Sequence, residues 1–495
     1  MGRRPTAKIV RRPPGPGYGV TAGLSLPESA RDNRRPMRIL QVIHQFPPFS
    51  TQGSEMHCQQ LARALSAGGD DVGVFHISNT TPRHPARLVR GEDGRLRTFH
   101  CIDDGQYSRV ADWQNAFLQT SFRRILAEFA PDIVHFHNYL SLGDDLVGIA
   151  QSSGAAIVYT LHDYGLICPN NLLLRPDGGL CGKKDPDFFQ DCCPQTIRCS
   201  GRGMPALAHR LPPLFRWQQF ATNQPSLVPR VALTSLVGLA TCVLGRPELT
   251  AIEAKRAFYF ERTRRIFDRT HLFIAPSEYL RGRFVDCGLA PERIVHERYG
   301  IRHFPRPQHV PAADRKVRFG YIGALHAHKG ITVLVEAFRG LGDRASLHIH
   351  GSSFGSPVSE AHFRQITAAP ASGIVLHGRY DNDRLGEILG TLDAIVVPSV
   401  WYENSPLTIQ EAQVAGVPVI TSGEGGMAEL VRDGVDGLLF RIGDPGDLRR
   451  ALQSVIARPD LLERMRAQAP HVPTIEAQAE RIRGHYAGTL LLCRD

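Results

Sequence analysis

Apolar positions along residues 37–480 follow two alternating patterns. Short runs rich in Val, Ile and Phe, bounded by glycine, proline or asparagine, read as buried strands. Between them, apolar residues three and four apart read as amphipathic helices. MRILQVIH opens as a strand, QFPPFSTQGSE as a loop, MHCQQLARALSAGG as a helix closing in glycines, and DVGVFHIS as the next strand. PDIVHFHNY, AAIVYTLHDYG and HLFIAPSEYL continue the series. HFPRPQHVPAAD, rich in proline and without period, reads as a linker. The alternation then restarts with VRFGYIG (strand), ITVLVEAFRGL (helix), LHIHGSS (strand and loop), HFRQITAA (helix), IVLHGRY (strand and loop), DRLGEILGTL (helix) and DAIVVPS (strand). Repeated strand–helix–strand order predicts doubly wound parallel α/β sheets, and 495 residues predict at least two domains.

The second half carries the most informative stretch, AIVVPSVWYENSPLTIQEAQVAGVPVITSGEGGMAEL at 394–430. Its strand stops at Pro398. A helix is expected to open with Ser405 as N-cap and Pro406 at the first helical position, and to close at Gly416 before Pro418. Glu403 lies in the loop before that helix and Glu411 about a turn and a half inside it. A helix N-terminus offers unpaired N–H groups and partial positive charge, which suit a diphosphate. A carboxylate on the helix can accept bonds from ribose hydroxyls, and one in the loop can reach a sugar. Two acids near a helix start are also common on a solvated surface. Upstream, Lys329-Gly330 stands at the mouth of another helix, where an ammonium would neutralise a leaving diphosphate. Gly425-Gly426-Met427 is expected as a loop whose amides approach phosphate or sugar.

The spacing E-x7-E around N-S-P-L, followed by G-V-P-V-I, closely resembles the donor-site signature of retaining glycosyltransferases of family 4. The likeness covers nearly all of 37–480 and is strongest from 319 to 440. It implies a GT-B fold: two Rossmann-like parallel α/β domains facing a cleft. The implied divisions are 37–304 for the acceptor-side domain, 305–315 for the hinge and 316–475 for the nucleotide-sugar domain. A last helix at 476–495 would return to the first domain. The implied reaction moves a sugar from a UDP- or GDP-linked donor to a hydroxyl of a glycan, lipid-linked saccharide or surface polysaccharide. Same-face attack would be assisted by the departing phosphate.

By the same likeness, His162, Lys329 and Glu403 are the catalytic candidates. Glu411, Asn404, Ser405, Pro406, Leu407, Gly323, Arg379, Tyr380, Gly425, Gly426 and Met427 line the donor, with Arg379 and Tyr380 near the base. Gly53 and Ser54 form the first glycine loop, where acceptor and donor meet. His162 sits in a T-x-H loop such as the family places near the donor sugar, whereas His135 and His137 read as structural. The family motif G-R-L-x-x-x-K-G departs here, because Ala324 stands where the arginine is usual. That departure keeps a catalytically weak sugar-nucleotide-binding protein open as an alternative, with a nucleotide-sugar 2-epimerase behind it.

Other features bound the reading. No G-x-G-x-x-G fingerprint follows the first strand, which removes support from a nicotinamide enzyme. No D-x-D signature falls at the site, so no metal and no cofactor are expected for the chemistry. Five of the ten cysteines, Cys168, Cys181, Cys192, Cys193 and Cys199, lie in an insert at 165–200. They are candidate ligands of a structural zinc, although clean C-x2-C pairs are lacking and free thiols fit equally. The net charge of +10 is concentrated: residues 1–36 carry +6, 201–283 carry +8, and the remainder −4. Residues 1–36, rich in Arg, Pro and Gly, are expected to be a disordered basic extension. A folded core that is mildly acidic argues against nucleic acid as partner. The basic helical insert at 201–265 holds an apolar run at 231–245, too short to span a bilayer. Lying on an anionic membrane surface or packing against the first domain are its two readings. No apolar stretch follows the N-terminal arginines, so a cytoplasmic protein with reduced thiols, peripheral on the inner face of the membrane, is expected.

Overall fold

The computed structural model describes residues 35–79, 86–103, 115–137, 145–168, 171–175, 178–182, 259, 261–310, 316–352 and 372–493. Outside the described residues lie the extension at 1–34, Asn138, Cys192, Cys193, Cys199, the apolar run at 231–245 and the helix expected at 362–369.

The first sheet is built from β1 (Arg38–Ile43), α1 (Gly53–Ala67), β2 (Asp71–Asn79), β3 (Arg87–Asp93), β4 (Leu96–Asp103), α2 (Ala116–Phe129), β5 (Ile133–Phe136), α3 (Asp145–Ser152), β6 (Ala156–Thr160), β7 (Leu272–Ala275), α4 (Glu278–Asp286) and β8 (Ile294–His296). Its strand order is β3-β4-β2-β1-β5-β6-β7-β8. Every pairing is parallel except β3 with β4. β1 is central and buried along almost its whole length, because helices cover both faces of a parallel sheet. Its one fully buried polar residue, Gln41, donates to the Tyr486 hydroxyl.

The second sheet follows with β9 (Val317–Ile322), α5 (Ile331–Phe338), β10 (Ala345–His350), β11 (Ile374–Gly378), α6 (Leu385–Gly390), β12 (Ala394–Val397), α7 (Leu407–Ala415), β13 (Val419–Ser422), α8 (Gly425–Leu430), β14 (Gly437–Phe440), α9 (Pro445–Ala457), α10 (Pro459–Ala467) and α11 (Ile475–Leu492). Its order is β11-β10-β9-β12-β13-β14, all parallel. α11 leaves this half and packs on the first. Ile475, Ala479, Ile482 and Tyr486 join the core that also holds Ile39, Leu61 and Leu65. Arg483 pairs with buried Asp70 at 3.0 Å. The proline-rich link is seated on the second half. Val310 N–H bonds Gly390 O, His309 meets Asp393 at 2.6 Å, and Pro307 stands over Gly390.

Three local expectations are corrected. α1 starts at Gly53, so Gly53 and Ser54 belong to the first helical turn and not to a loop. Glu55, buried in that turn, accepts bonds from Ser50 and Ser54 and lies 3.2 Å from His44, which stabilises the earlier start. α7 starts at Leu407, with Pro406 as the flanking residue and no side-chain cap. Ser405 does not cap it, since its hydroxyl instead accepts from Gln410. Gly425-Gly426-Met427 is the first turn of α8, and the Met427 side chain is fully buried in the second half's core. Among the described residues no helix is long and apolar enough to cross a membrane.

Candidate functional site

The polar groups of interest gather where the carboxyl ends of the two sheets meet, the position that open parallel sheets reserve for ligands. On the second half the arrangement is set by glycines at close approaches. Gly330 has φ +72°, and a Cβ there would lie 1.8 Å from Pro398 O at the end of β12. Only glycine permits that contact, and it seats the Lys329 turn beside the loop after β12. Lys329 Nζ then reaches Glu403 Oε1 at 2.6 Å and lies 5.5 Å from the Trp401 ring centre. Ser399 Oγ donates to the same Glu403 oxygen at 2.7 Å. Burial alone would push the Glu403 carboxyl up, but the Lys329 charge and the Lys329 and Ser399 hydrogen bonds hold it below its ordinary value. Glu403 is therefore a buried carboxylate, ionised and paired.

Gly426 performs a similar service. Its N–H donates to Glu403 O at 2.7 Å, and a Cβ there would fall 1.6 Å from Asn404 O. The start of α8 thus clamps the backbone of Glu403 and Asn404. Asn404 spans to the first half: its Nδ2 donates to His162 O at 2.6 Å, while its Oδ1 is buried with no partner among the described residues. Gly53, at the start of α1, faces the start of α7, with Leu407 Cδ1 3.8 Å from the place of a Cβ. Two helix N-termini therefore approach one another, a setting favourable to an anion. Ser54 is committed to Glu55.

On the first half the histidines that follow β5 and β6, with His57 on α1, are neutral. His162 follows β6, with Nδ1 2.6 Å from the Tyr299 hydroxyl and Nε2 3.0 Å from His137 Nδ1. His135 and His137 are fully buried, His135 between Tyr486 OH and Thr160 Oγ1, and His137 against Gln41 Oε1. Burial, reinforced by neighbouring imidazoles, holds His162 and His137 well below the ordinary histidine range. It lowers His57 to about 4 and His135 to about 3. Their rings are uncharged at neutral pH.

The remaining donor candidates sit on the second half. Glu411, on α7 and partly buried, is pushed up to about 7 by burial. Its charge in turn helps raise Tyr380, after burial. Arg379 is exposed, with Nε 3.3 Å from Ser352 Oγ. Gly323 packs backbone to backbone against Gly351, where a Cβ would lie 1.8 Å from Gly323 O. Tyr321 OH donates to Ala324 O at 2.6 Å, fixing the loop in which alanine replaces the usual arginine. The structure joins His162, Asn404, Glu403 and Lys329 in one connected set. It gives no contact between Arg379 and that set among the described residues. Cys168 and Cys181 are buried beside Tyr164, Leu173 and Trp401 in the first half's core.

Sequence reasoning missed several members of the site. Ser399, Trp401, His57, Tyr299, Gln478 and the His44–Glu55 pair all touch or support it. Ser399 and Trp401 fall inside the motif stretch and were accessible there. The others come from segments hundreds of residues apart and carry no local mark.

Two parallel α/β halves meeting at their strand ends, with an anion-compatible cleft between, define a GT-B protein. The chain belongs to glycosyltransferase family 4: residues 51–180 match the model described as Glycosyltransferase Family 4, and residues 306–472 that of Glycosyl transferases group 1. It is 24% identical to a glycogen synthase of Mycobacterium tuberculosis over 88% of this chain and 89% of that one. It is 30% identical to a D-inositol 3-phosphate glycosyltransferase of Streptomyces griseus over 38% of this chain and 46% of that one. The chain thus spans about half the length of that relative or less. Among solved structures, it resembles Anabaena HepE in complex with UDP and glucose, with TM-score 0.57 and 14% identity over 91% of this chain and 99% of that one. It also resembles a sucrose-phosphate synthase of Thermosynechococcus elongatus, with TM-score 0.59 and 16% identity over 92% and 100%.

Proposed function

We propose that this protein transfers a sugar from a nucleotide-diphosphate donor to a hydroxyl acceptor, with retention of anomeric configuration. The observation that carries the reading is the Lys329–Glu403 pair, held by Gly330 and Gly426 next to the start of α7 and tied to His162 through Asn404. A diphosphate entering there would meet the Lys329 ammonium and the N-terminal amides of α7, which act on charge developing as the sugar departs. The donor's negative charge would draw Lys329 from Glu403, leaving the carboxylate to accept sugar hydroxyls. Neutral His162 would turn its Nε2–H from His137 to the same sugar without competing for the anion. Glu411 would take the ribose hydroxyls and Tyr380 would lie beside the base. The likeness to a protein solved in complex with UDP and glucose supports a UDP-linked donor.

A thermal-shift panel of nucleotide sugars tests this directly. A ligand present at a hundred times its Kd stabilises by about 2.7 kcal/mol, so the correct base and sugar stand out together. No stabilisation by any UDP- or GDP-sugar would remove the proposal. The second reading, binding with little turnover, is favoured by Ala324 alone. It predicts a strong shift with neither transfer nor donor hydrolysis.

For the acceptor we propose a lipid-linked saccharide or surface polysaccharide met at an anionic membrane face. The support is the +8 charge of residues 201–283, most of which lie outside the described residues. Co-sedimentation with anionic but not neutral vesicles is the expected result, and equal partitioning contradicts it.

A further inference from the structure

Behind the His162 loop, three histidines converge from three elements: His57 on α1, His137 after β5 and His162 after β6. One ring nitrogen from each lies within 4.8 Å of the other two. His57 and His137 are essentially inaccessible, while His162 is partly open toward the cleft.

The hydrogen bonds around the cluster assign the tautomers. Gln478 Oε1 accepts from Gly300 N–H at 2.9 Å, which fixes the orientation of that amide. The same oxygen lies 2.9 Å from His57 Nε2, so this nitrogen carries the proton and donates. His57 Nδ1 is then a bare lone pair, and it is buried with no partner among the described residues. Gln41 uses its Nε2 toward Tyr486, leaving Oε1 to accept from His137 Nε2–H. His137 Nδ1 is consequently also a lone pair. It faces His162 Nε2 at 3.0 Å, and the metal-free cluster is reconciled by a proton on that nitrogen. Tyr299 OH then donates to His162 Nδ1.

Two buried imidazole lone pairs and a third imidazole one tautomer away make a ligand set, and each ring already has an outer partner. A ligating histidine characteristically donates its other N–H to a carbonyl or hydroxyl, which sets its orientation and basicity. Gln478, Gln41 and Tyr299 supply three such partners. Nitrogen ligands at about 2.0–2.1 Å from a tetrahedral ion stand roughly 3.3 Å apart, so the cluster closes with about an ångström of ring movement. Imidazole donors select zinc-class transition metals over magnesium or calcium.

We propose that His57, His137 and His162 form a site for one divalent transition metal of the zinc class, and that its occupation withdraws His162 from the donor sugar. On binding, the single proton of His162 moves from Nε2 to Nδ1, the Tyr299 hydroxyl turns to accept it, and three imidazole nitrogens face the metal. No net proton is released. The fourth position opens toward the cleft, where water completes the set. The inhibitory consequence rests on the proposed transferase function; the metal site itself does not.

Titration of the full-length protein with Co2+ tests it. The expected result is one ion bound with the visible absorption of a four-coordinate nitrogen and oxygen site, without a thiolate charge-transfer band in the near ultraviolet. His57→Phe is expected to abolish that signal, and Gln478→Leu, which removes only an outer partner, to weaken binding roughly ten- to a hundredfold. Gln478→Leu also serves if His57→Phe fails to fold, as judged by its melting. Cys168→Ser is expected to bind as the wild type does. Absence of stoichiometric binding, a thiolate band, or binding unchanged in Gln478→Leu would each overturn the site. Zn2+ is expected to slow turnover of the donor by the wild type, and the metal concentration needed for half inhibition, each protein measured against its own metal-free rate, is expected to rise roughly ten- to a hundredfold in Gln478→Leu. Spectroscopic binding without any effect on turnover would overturn the inhibitory claim and leave the site standing. Should no donor be turned over at all, the transferase reading fails while the Co2+ result still decides the site.

Discussion

The two halves of the cleft offer unlike chemistry. The second half presents an ion pair next to a helix start, half-buried Lys329 with buried Glu403, its two members 74 positions apart but both within the one sheet's loops. The first half presents neutral imidazoles, His57, His135, His137 and His162, drawn from distant segments and braced by Tyr299, Tyr486 and Gln478. In the proposed reaction the charged wall would answer a charged leaving group, whereas the neutral rings would contact a sugar without drawing the diphosphate to the wrong side. The division of labour also fixes how each wall fails. The ion pair fails when one charge is left alone, and the imidazole cluster when one hydrogen bond is lost.

The largest effect is expected from the glycines that hold the charged wall. Gly426→Val would drive a side chain into the Asn404 carbonyl, 1.6 Å from the new Cβ, so the loop or α8 must move. A loss of about 3 kcal/mol or more is expected in denaturant unfolding, with loss of turnover in whatever fraction remains folded. A variant of native stability and activity would show that this clamp is dispensable.

Lys329→Met comes next and inverts a pH dependence. In the native protein Glu403 titrates below its ordinary value, so it contributes stability above that value and loses it as pH falls through the folded pKa. Without the ammonium, burial dominates and the Glu403 pKa rises. The variant should then lose stability as pH rises above the ordinary carboxylate value. Adding Glu403→Gln should restore part of the loss, with a coupling of about 1–3 kcal/mol in melts at pH 5 and pH 8. Additive effects would show that the pair is not energetically coupled.

Glu411→Gln separates stability from function. The native carboxyl, pushed up to about 7, costs stability as pH rises from the ordinary value toward neutrality. The amide should melt roughly 1–3 °C higher at pH 8, with little change at pH 4. Donor affinity should fall by about tenfold at pH 8, the worth of one hydrogen bond to a charged acceptor. Native donor binding should strengthen from pH 6 to pH 8 as Glu411 ionises. The smallest effect is expected on the neutral wall. Tyr299→Phe removes one hydrogen bond to His162, about 1 kcal/mol by chemical denaturation. A loss as large as that of Lys329→Met would mean the histidine cluster, and not the ion pair, dominates the cleft.

What could be read from the chain follows the same contrast. The central strands of both sheets were legible because parallel strands buried on two faces announce themselves as apolar runs, as in RILQVI and AIVV, whereas the antiparallel edge pair β3–β4, with β3 mostly exposed, was not legible. Glu403, Asn404 and Glu411 were legible because one loop and one helix carry them all. Helix starts were less so. Glu55 moved the start of α1 upstream through bonds to Ser50 and Ser54, partners that periodicity does not weigh. The Gly425-Gly426 pair read as a loop because glycine marks turns, whereas here the missing Cβ admits the Asn404 carbonyl. His57, Tyr299 and Gln478 were illegible for a different reason: His57 and Gln478 stand 421 positions apart and meet only because α11 crosses back to α1.

The central claim is that Lys329, set against Glu403 at the start of α7, stabilises the leaving diphosphate. Its most direct test is the turnover of the donor picked out by thermal shift, compared between the wild type and Lys329→Met at saturating donor. Loss of a preorganised charge at the reacting centre predicts kcat lower by about a hundred- to a thousandfold, with the base still recognised. An unchanged kcat would contradict the account.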